Sequence, residues 1–139
     1  AFPAEHVLLT PGGLLLFEVV NLPGSFTHRN GSWRESMTRG RALRYLVEPR
    51  VSDPVMLAGA LADETRRWLQ KHLAAAAQVP INVLTVFTHP GAQLELDRGD
   101  IPAVLLPKLR KHISPAARRL EPEVYGNLAT HLQRATLRE

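Results

Sequence analysis

Two carboxylates near the start of the chain have the type and spacing that suit chemistry best. Glu5 and Glu18 lie thirteen positions apart in the apolar stretch EHVLLTPGGLLLFEVVNL, residues 5–22. Burying a carboxylate in such a stretch is costly unless it is paired, protonated or bound to a cation. Carboxylate and carbonyl oxygens are the ligands that Mg²⁺ prefers. Glu5, Glu18 and the backbone carbonyl of Val19 therefore predict a magnesium site, where a metal would polarise a phosphodiester and activate a water.

The turn after the first strand decides whether these two acids face each other. Segments 5–10 and 14–20 are typical of strands, and the Thr-Pro-Gly-Gly sequence at their junction is typical of a turn. A loop of two or four residues places Glu5 across from Glu18. A loop of three residues places His6 there instead, within hydrogen-bonding reach of Glu18.

Each acid also has a purely structural interpretation. Glu5 is equally suited to a strand end in solvent. Glu18 is equally suited to pairing with an arginine of the basic connection downstream, such as Arg41 or Arg44. Both interpretations stay open beside the metal site.

The remaining chain alternates strand-like and helix-like patterns. Asn30-Gly31 is a strong hairpin signal, and Asp53-Pro54 supplies an N-cap and a first helical residue. The further predicted elements are strands at about 24–28, 32–37, 81–87 and 102–106, one long helix at 55–78, a short helix from 108 to 112 and a final amphipathic helix at 121–138. Strands on both sides of a long helix predict an α/β fold, with a central mixed β-sheet and the long helix packed on it.

Two basic segments predict a surface for nucleic acid or another polyanion. Residues 29–50 carry a local charge of +4, and residues 107–119 carry five basic residues and no acid. A solvated surface is the alternative interpretation. The candidate nucleic-acid-binding residues are Arg39, Arg41, Arg44, Lys108, Arg110 and Lys111.

Composition sets the remaining limits. The chain has 139 residues, is 45% hydrophobic and contains no cysteine, which excludes disulfides and thiolate metal sites. It shows no apolar run of membrane-spanning length, so we expect a single cytoplasmic domain with no membrane partner. The first residue is alanine and not methionine, so we expect either a fragment of a longer protein or a trimmed chain. We expect most histidines on the surface, and Trp33 and Trp68 in packing roles.

The order of these motifs resembles the nuclease-related domain (NERD) family, a branch of the PD-(D/E)XK nuclease superfamily. The matching segments are Glu5-His6-Val7-Leu8-Leu9, Gly13 to Glu18, Gly24, Gly31-Ser32-Trp33, Asp53-Pro54-Val55 and the strand Val83–Phe87. The resemblance implies a restriction-endonuclease-like core over residues 5–113 within a single domain, 1–139, with a C-terminal helical extension, 114–139. It also implies that Glu5 and Glu18 are the catalytic acids.

Three positions depart from the family pattern. Glu5 replaces an aspartate, Val20 replaces the lysine two residues after the second acid, and Leu57 replaces a glutamine. The resemblance therefore implies a degenerate nuclease that binds nucleic acid or a protein partner with little or no cleavage. One alternative is an active Mg²⁺-dependent phosphodiesterase with a relocated basic residue; another is a purely structural interaction module of a larger protein. The candidates for the relocated residue are Arg44, Arg66, Arg67 and Lys71.

Overall fold

The computed structural model describes residues 2–36, 51–113 and 119–136. Its elements follow the predicted order with one additional strand. They are β1 (His6–Thr10), β2 (Gly13–Val20), β3 (Gly24–Arg29), β4 (Ser32–Ser36), α1 (Pro54–His72), a 3₁₀ helix (Ala74–Ala76), β5 (Ile81–Phe87), β6 (Ala92–Leu96), β7 (Ala103–Leu105), a second 3₁₀ helix (Leu106–His112) and α2 (Pro122–Thr136). Within these ranges, no helix is both long and apolar enough to cross a membrane.

The α/β class is confirmed, but the described strands form two mixed sheets and not one central sheet. One sheet has the hydrogen-bonded order β1-β2-β5-β7, and the other has the order β4-β3-β6. Strand β6, which is not among the predicted strands, pairs in parallel with β3 and completes the second sheet. Its alternation of half-buried Leu94 and Leu96 with exposed Gln93 and Glu95 is the period of a half-buried strand.

Two compact units divide the chain. The first comprises the described residues within 1–18, 58–84 and 114–139, and the second comprises those within 19–57 and 85–113. Each unit has its own apolar cluster. The single domain over 1–139 stays a prediction.

The first unit is built around leucines from β2, α1 and α2. Leu16, Leu69 and Leu128 are fully buried in its cluster. Because α2 places Leu128 and Leu132 in this cluster, its apolar residues are used in packing. The final helix is thus confirmed over Pro122–Thr136, and positions 137 and 138 of the predicted range lie outside the described residues.

Helix α1 begins as predicted and ends earlier. Asp53 Oδ1 accepts a hydrogen bond from the amide of Val55 at 3.0 Å, which is the expected N-cap. The helix ends at His72 and not at Gln78. Arg66 donates hydrogen bonds to the carbonyls of Ala77 and Val79, at 2.6 and 2.8 Å, and these bonds hold the alanine-rich segment in a turn.

The turn between β1 and β2 requires glycine at position 13. Gly13 has a φ of +146°, and a Cβ there would collide with the carbonyl of Pro80. The adjacent amide of Leu14 donates to that same carbonyl at 2.9 Å. This close approach fixes the position at which β2 enters the sheet.

The second unit is organised around aromatic residues from β3, β4 and β5. Phe26 and Phe87 are fully buried, with ring centroids 4.6 Å apart, and Trp33 stacks on Phe26. Asn30 and Gly31 both have positive φ, which confirms the predicted hairpin turn between β3 and β4.

Candidate functional site

The register of the first hairpin settles which residue faces Glu18. His6 pairs with Phe17 and Thr10 pairs with Gly13, so the loop contains two residues. One further step in this register brings Glu5, which directly precedes β1, opposite Glu18. The alternative in which His6 lies across from Glu18 is therefore wrong.

Glu18 is exposed, so the expectation of a costly buried charge is wrong. It shares a strand face with Leu14 and Leu16, both of which are buried, but its own carboxylate lies in solvent. Glu5 is exposed as well. Neither acid makes an ion pair with another described residue, and exposure to water removes the desolvation cost of both charges. Arg41 and Arg44, the expected partners of Glu18, lie outside the described residues.

The donor set at Glu5 and Glu18 fits Mg²⁺ in chemical type but is small. Two carboxylates and the carbonyl of Val19 are hard oxygen ligands, as Mg²⁺ prefers. The described residues contain no cluster of three acidic, histidine or cysteine side chains that could hold a metal. Such a pair suits an ion that draws its other ligands from water and substrate phosphates, because Mg²⁺ is often bound in that way.

Val20 occupies the position where the family pattern has its lysine. The valine is 8% exposed and belongs to the apolar cluster of the second unit with Phe26 and Phe87. This position is used for packing, and the side chain is surrounded by carbon.

The candidates for a relocated basic residue are in different environments. Arg66 is half-buried and bound to two backbone carbonyls, so its guanidinium has a structural role. Arg67 and Lys71 are exposed on α1. Arg44 lies outside the described residues.

A polar pair that sequence reasoning missed, a buried histidine and a half-buried aspartate, lies in the second unit. His28 is 2% exposed, although a surface position was expected, and its Nε2 lies 3.4 Å from Oδ1 of Asp53. Its Nδ1 is buried without a hydrogen-bond partner among the described residues. The signal was available in β3, since His28 alternates with Gly24 and Phe26 on one face.

The 3₁₀ helix Leu106–His112, which we call the basic helix, carries three of the predicted nucleic-acid-binding residues. Lys108, Arg110 and Lys111 are all exposed, and none makes an ion pair with another described residue. Leu109, between them, is half-buried.

Two other cations of the second unit, Arg29 and Arg98, are neutralised, whereas the exposed Arg34 makes no ion pair with another described residue. Arg29 pairs with Glu95 at 2.6 Å, and Arg98 pairs with Asp100 at 3.5 Å. The basic helix is therefore a local excess of positive charge. Arg39, Arg41 and Arg44, the other predicted nucleic-acid contacts, lie outside the described residues.

Comparisons with known proteins found no match: no family model, no curated protein and no solved structure matches this chain. The resemblance to the nuclease-related domain stays a prediction.

Proposed function

We propose that this chain is a degenerate nuclease-related domain with a restriction-endonuclease-like core. It binds nucleic acid through the basic helix and has little or no cleavage activity. The observation that carries the loss of cleavage is the burial of Val20 in an apolar cluster. A lysine at that position would share a strand face with Glu18, where it would orient a water or offset developing charge, and a valine does neither.

Support for nucleic-acid binding comes from the contrast between free and neutralised cations. The exposed charges of Lys108, Arg110 and Lys111 have no described acidic partner, whereas Arg29 and Arg98 do. Cations without an internal partner are available to phosphates, and release of counterions from the nucleic acid then drives binding.

The test is a fluorescence-anisotropy titration with a labelled 20-bp duplex DNA. Three phosphate contacts give a slope of log affinity against log salt of about −2.7, which is about a 40-fold loss between 50 and 200 mM salt. The variant K108A/R110A/K111A should lose binding. The matched control is R67A/K71A/R134A, which removes the same charge from exposed residues of the first unit and should bind like the parent. Equal loss in both variants, or no binding at 50 mM salt, contradicts the proposal.

The pairing register favours one alternative, an active Mg²⁺-dependent phosphodiesterase, because it brings Glu5 opposite Glu18. In that case Glu5, Glu18 and the carbonyl of Val19 hold the metal, and Arg67 or Lys71 supplies the relocated charge. This alternative requires Mg²⁺- or Mn²⁺-dependent cleavage that is lost in Glu18→Gln and kept in a control such as Glu64→Gln, another exposed acid.

The third possibility, an interaction module for a protein partner, depends on apolar surface left exposed on α2. That helix buries Leu128 and Leu132 in the core of the first unit. Tyr125, at 38% exposure, is the one large hydrophobic residue that it leaves exposed among those described. This arrangement gives a protein partner little to bind there.

A further inference from the structure

We infer that the basic helix recognises double-stranded nucleic acid through its sugar-phosphate backbone, in preference to the bases of a single strand. This inference rests on the proposed binding function and names the ligand class of the same surface. It depends on two observations, the spacing of the cations and the position of the aromatic rings in the second unit.

The spacing of the cations matches a phosphate backbone. In a 3₁₀ helix, side chains three residues apart eclipse each other, so Lys108 and Lys111 project from the same side of the basic helix. A rise of about 2.0 Å per residue separates them by about 6 Å along the helix axis. Each strand of a duplex carries a phosphate every ~3.4 Å of axis, so this span covers about two phosphates. Arg110 adds a third cation and a planar fork that suits bidentate phosphate contacts.

The helix is held on a buried strand, so its charges are presented from a fixed base. It follows β7 directly, and in that strand Ala103 and Val104 are buried. Strand β7 pairs in parallel with β5, with Val86 opposite Val104. The backbone positions of the three cations are therefore fixed, and their regular spacing fits a regular duplex better than it fits a flexible single strand, because the phosphates of the duplex are themselves fixed.

The described aromatic rings of the second unit are not available for base stacking. Its described aromatic residues are Phe26, Trp33 and Phe87, and the two phenylalanines are fully buried. Trp33 is half-buried, stacks on Phe26, and donates its indole N–H to the carbonyl of Val51 at 3.3 Å. Proteins that bind single strands stack successive bases on exposed aromatic side chains, at about 1–3 kcal/mol per base. The described residues of the second unit offer no such platform, so the electrostatic contribution determines the relative affinity for duplex and single strand, and it favours the duplex.

His112 is the remaining ring beside these cations, and it is held against its own helix. Its Nδ1 lies 3.2 Å from the carbonyl oxygen of Lys108. Because a carbonyl can only accept, Nδ1 carries the proton and donates it in this bond. The bond orients the imidazole along the helix, away from the extended position that a stacking platform needs.

The electrostatic term gives the size of the preference. Three contacts give a salt slope of about −2.7 for a duplex and about −2.1 for a single strand. If this term makes up the whole affinity, the two lines meet near 1 M salt, and the duplex is bound about sixfold more tightly at 50 mM. Phosphate contacts carry no sequence information, so duplexes of different sequence should bind alike.

The experiment uses four labelled probes: an A·T-rich 20-bp duplex, a G·C-rich 20-bp duplex and one single strand of each. Anisotropy titrations of the full chain from 50 to 300 mM KCl give affinities and slopes. We expect both duplexes to bind within about twofold of each other and about sixfold more tightly than their strands. The variant K108R/K111R keeps the charges and should bind like the parent, whereas K108A/R110A/K111A should lose the duplex preference. Circular dichroism of each variant checks that it is folded.

The outcomes separate this inference from the proposed function. Single strands bound as tightly as duplexes, or more tightly, would overturn the inference and leave nucleic-acid binding intact. A tenfold preference for one duplex sequence would also overturn it, because it requires base readout. Failure of every probe to bind at 50 mM salt would overturn the proposed function itself.

Discussion

Two pairs of polar side chains among the described residues differ in burial and in contacts. Continuing the β1–β2 register by one residue places Glu5 opposite Glu18 in the first unit, and both are exposed. His28 and Asp53 lie in the second unit, where His28 is buried and Asp53 also caps α1. Glu5 and Glu18, the predicted catalytic pair, have no described partner that fixes their side chains. His28 and Asp53 contact each other and connect β3 to the start of α1. Among these four side chains, those with defined contacts stabilise the fold, and the two acids have none.

The largest expected effect comes from restoring the family's residue type beside the acids. Val20→Lys places an ammonium among Phe26 and Phe87, which we expect to destabilise the protein by about 3 kcal/mol or more, because a buried charge without a partner is costly. Urea denaturation followed by tryptophan fluorescence measures the loss.

Val20→Met is the matched control, since it has a similar length without the charge, and its overpacking of the cluster should cost about 1–3 kcal/mol, less than the lysine. A Val20→Lys protein with parental stability would contradict the expected cost of burying the charge, and Mg²⁺-dependent cleavage of DNA by that variant would support the degenerate nuclease. In that case the acids would already be positioned and lack only the lysine.

A smaller effect is expected from breaking the buried pair. Asp53→Ala removes the cap of α1 and leaves Nε2 of His28 without the oxygen 3.4 Å away, for a combined cost of about 2–3 kcal/mol. Asp53→Asn keeps a capping oxygen and should cost less than about 1 kcal/mol. Equal midpoints for Asp53→Ala and the parent protein in urea would mean that this contact does not stabilise the second unit.

The sequence predicted most strands and both long helices because turn chemistry and periodicity are local. Asn30-Gly31 and Asp53-Pro54 each determine their own backbone within a few residues. The errors occurred where distant residues decide. The end of α1 depends on Arg66 reaching carbonyls eleven and thirteen residues away. Strand β6 gains its partner β3 from across the sequence.

The assignment of Glu5 and Glu18 as the candidate site stays a prediction, whereas the environment expected for Glu18 was wrong. The sequence allowed loops of two, three or four residues between the strands, and a three-residue loop gives a different register from the other two. The structure has the two-residue loop, which places Glu5 and not His6 opposite Glu18. The exposure of Glu18 did not follow from its apolar neighbours, because local pattern describes a face of a strand and not what covers each position. His28 was missed for the same reason, since a polar residue type was weighed above its place on the buried face of β3.

The smallest expected effect is at the acid pair itself, and its dependence on Mg²⁺ distinguishes a degenerate site from a preformed metal site. Glu5 directly precedes β1, and one further step of the register places it opposite Glu18. These like charges repel, so Glu18→Gln should stabilise the protein slightly, by about 0.2–0.5 kcal/mol at low salt. Glu64→Gln, an exposed acid on α1, is the control for loss of one negative charge and should change stability less. Thermal unfolding with and without 10 mM Mg²⁺ completes the measurement. If the acids hold no metal by themselves, Mg²⁺ leaves both proteins unchanged, because an ion stabilises only a state that it binds. A Mg²⁺-dependent rise in the melting temperature of the parent that is absent in Glu18→Gln would mean that the exposed pair is a preformed metal site, and would favour the active phosphodiesterase over the degenerate domain.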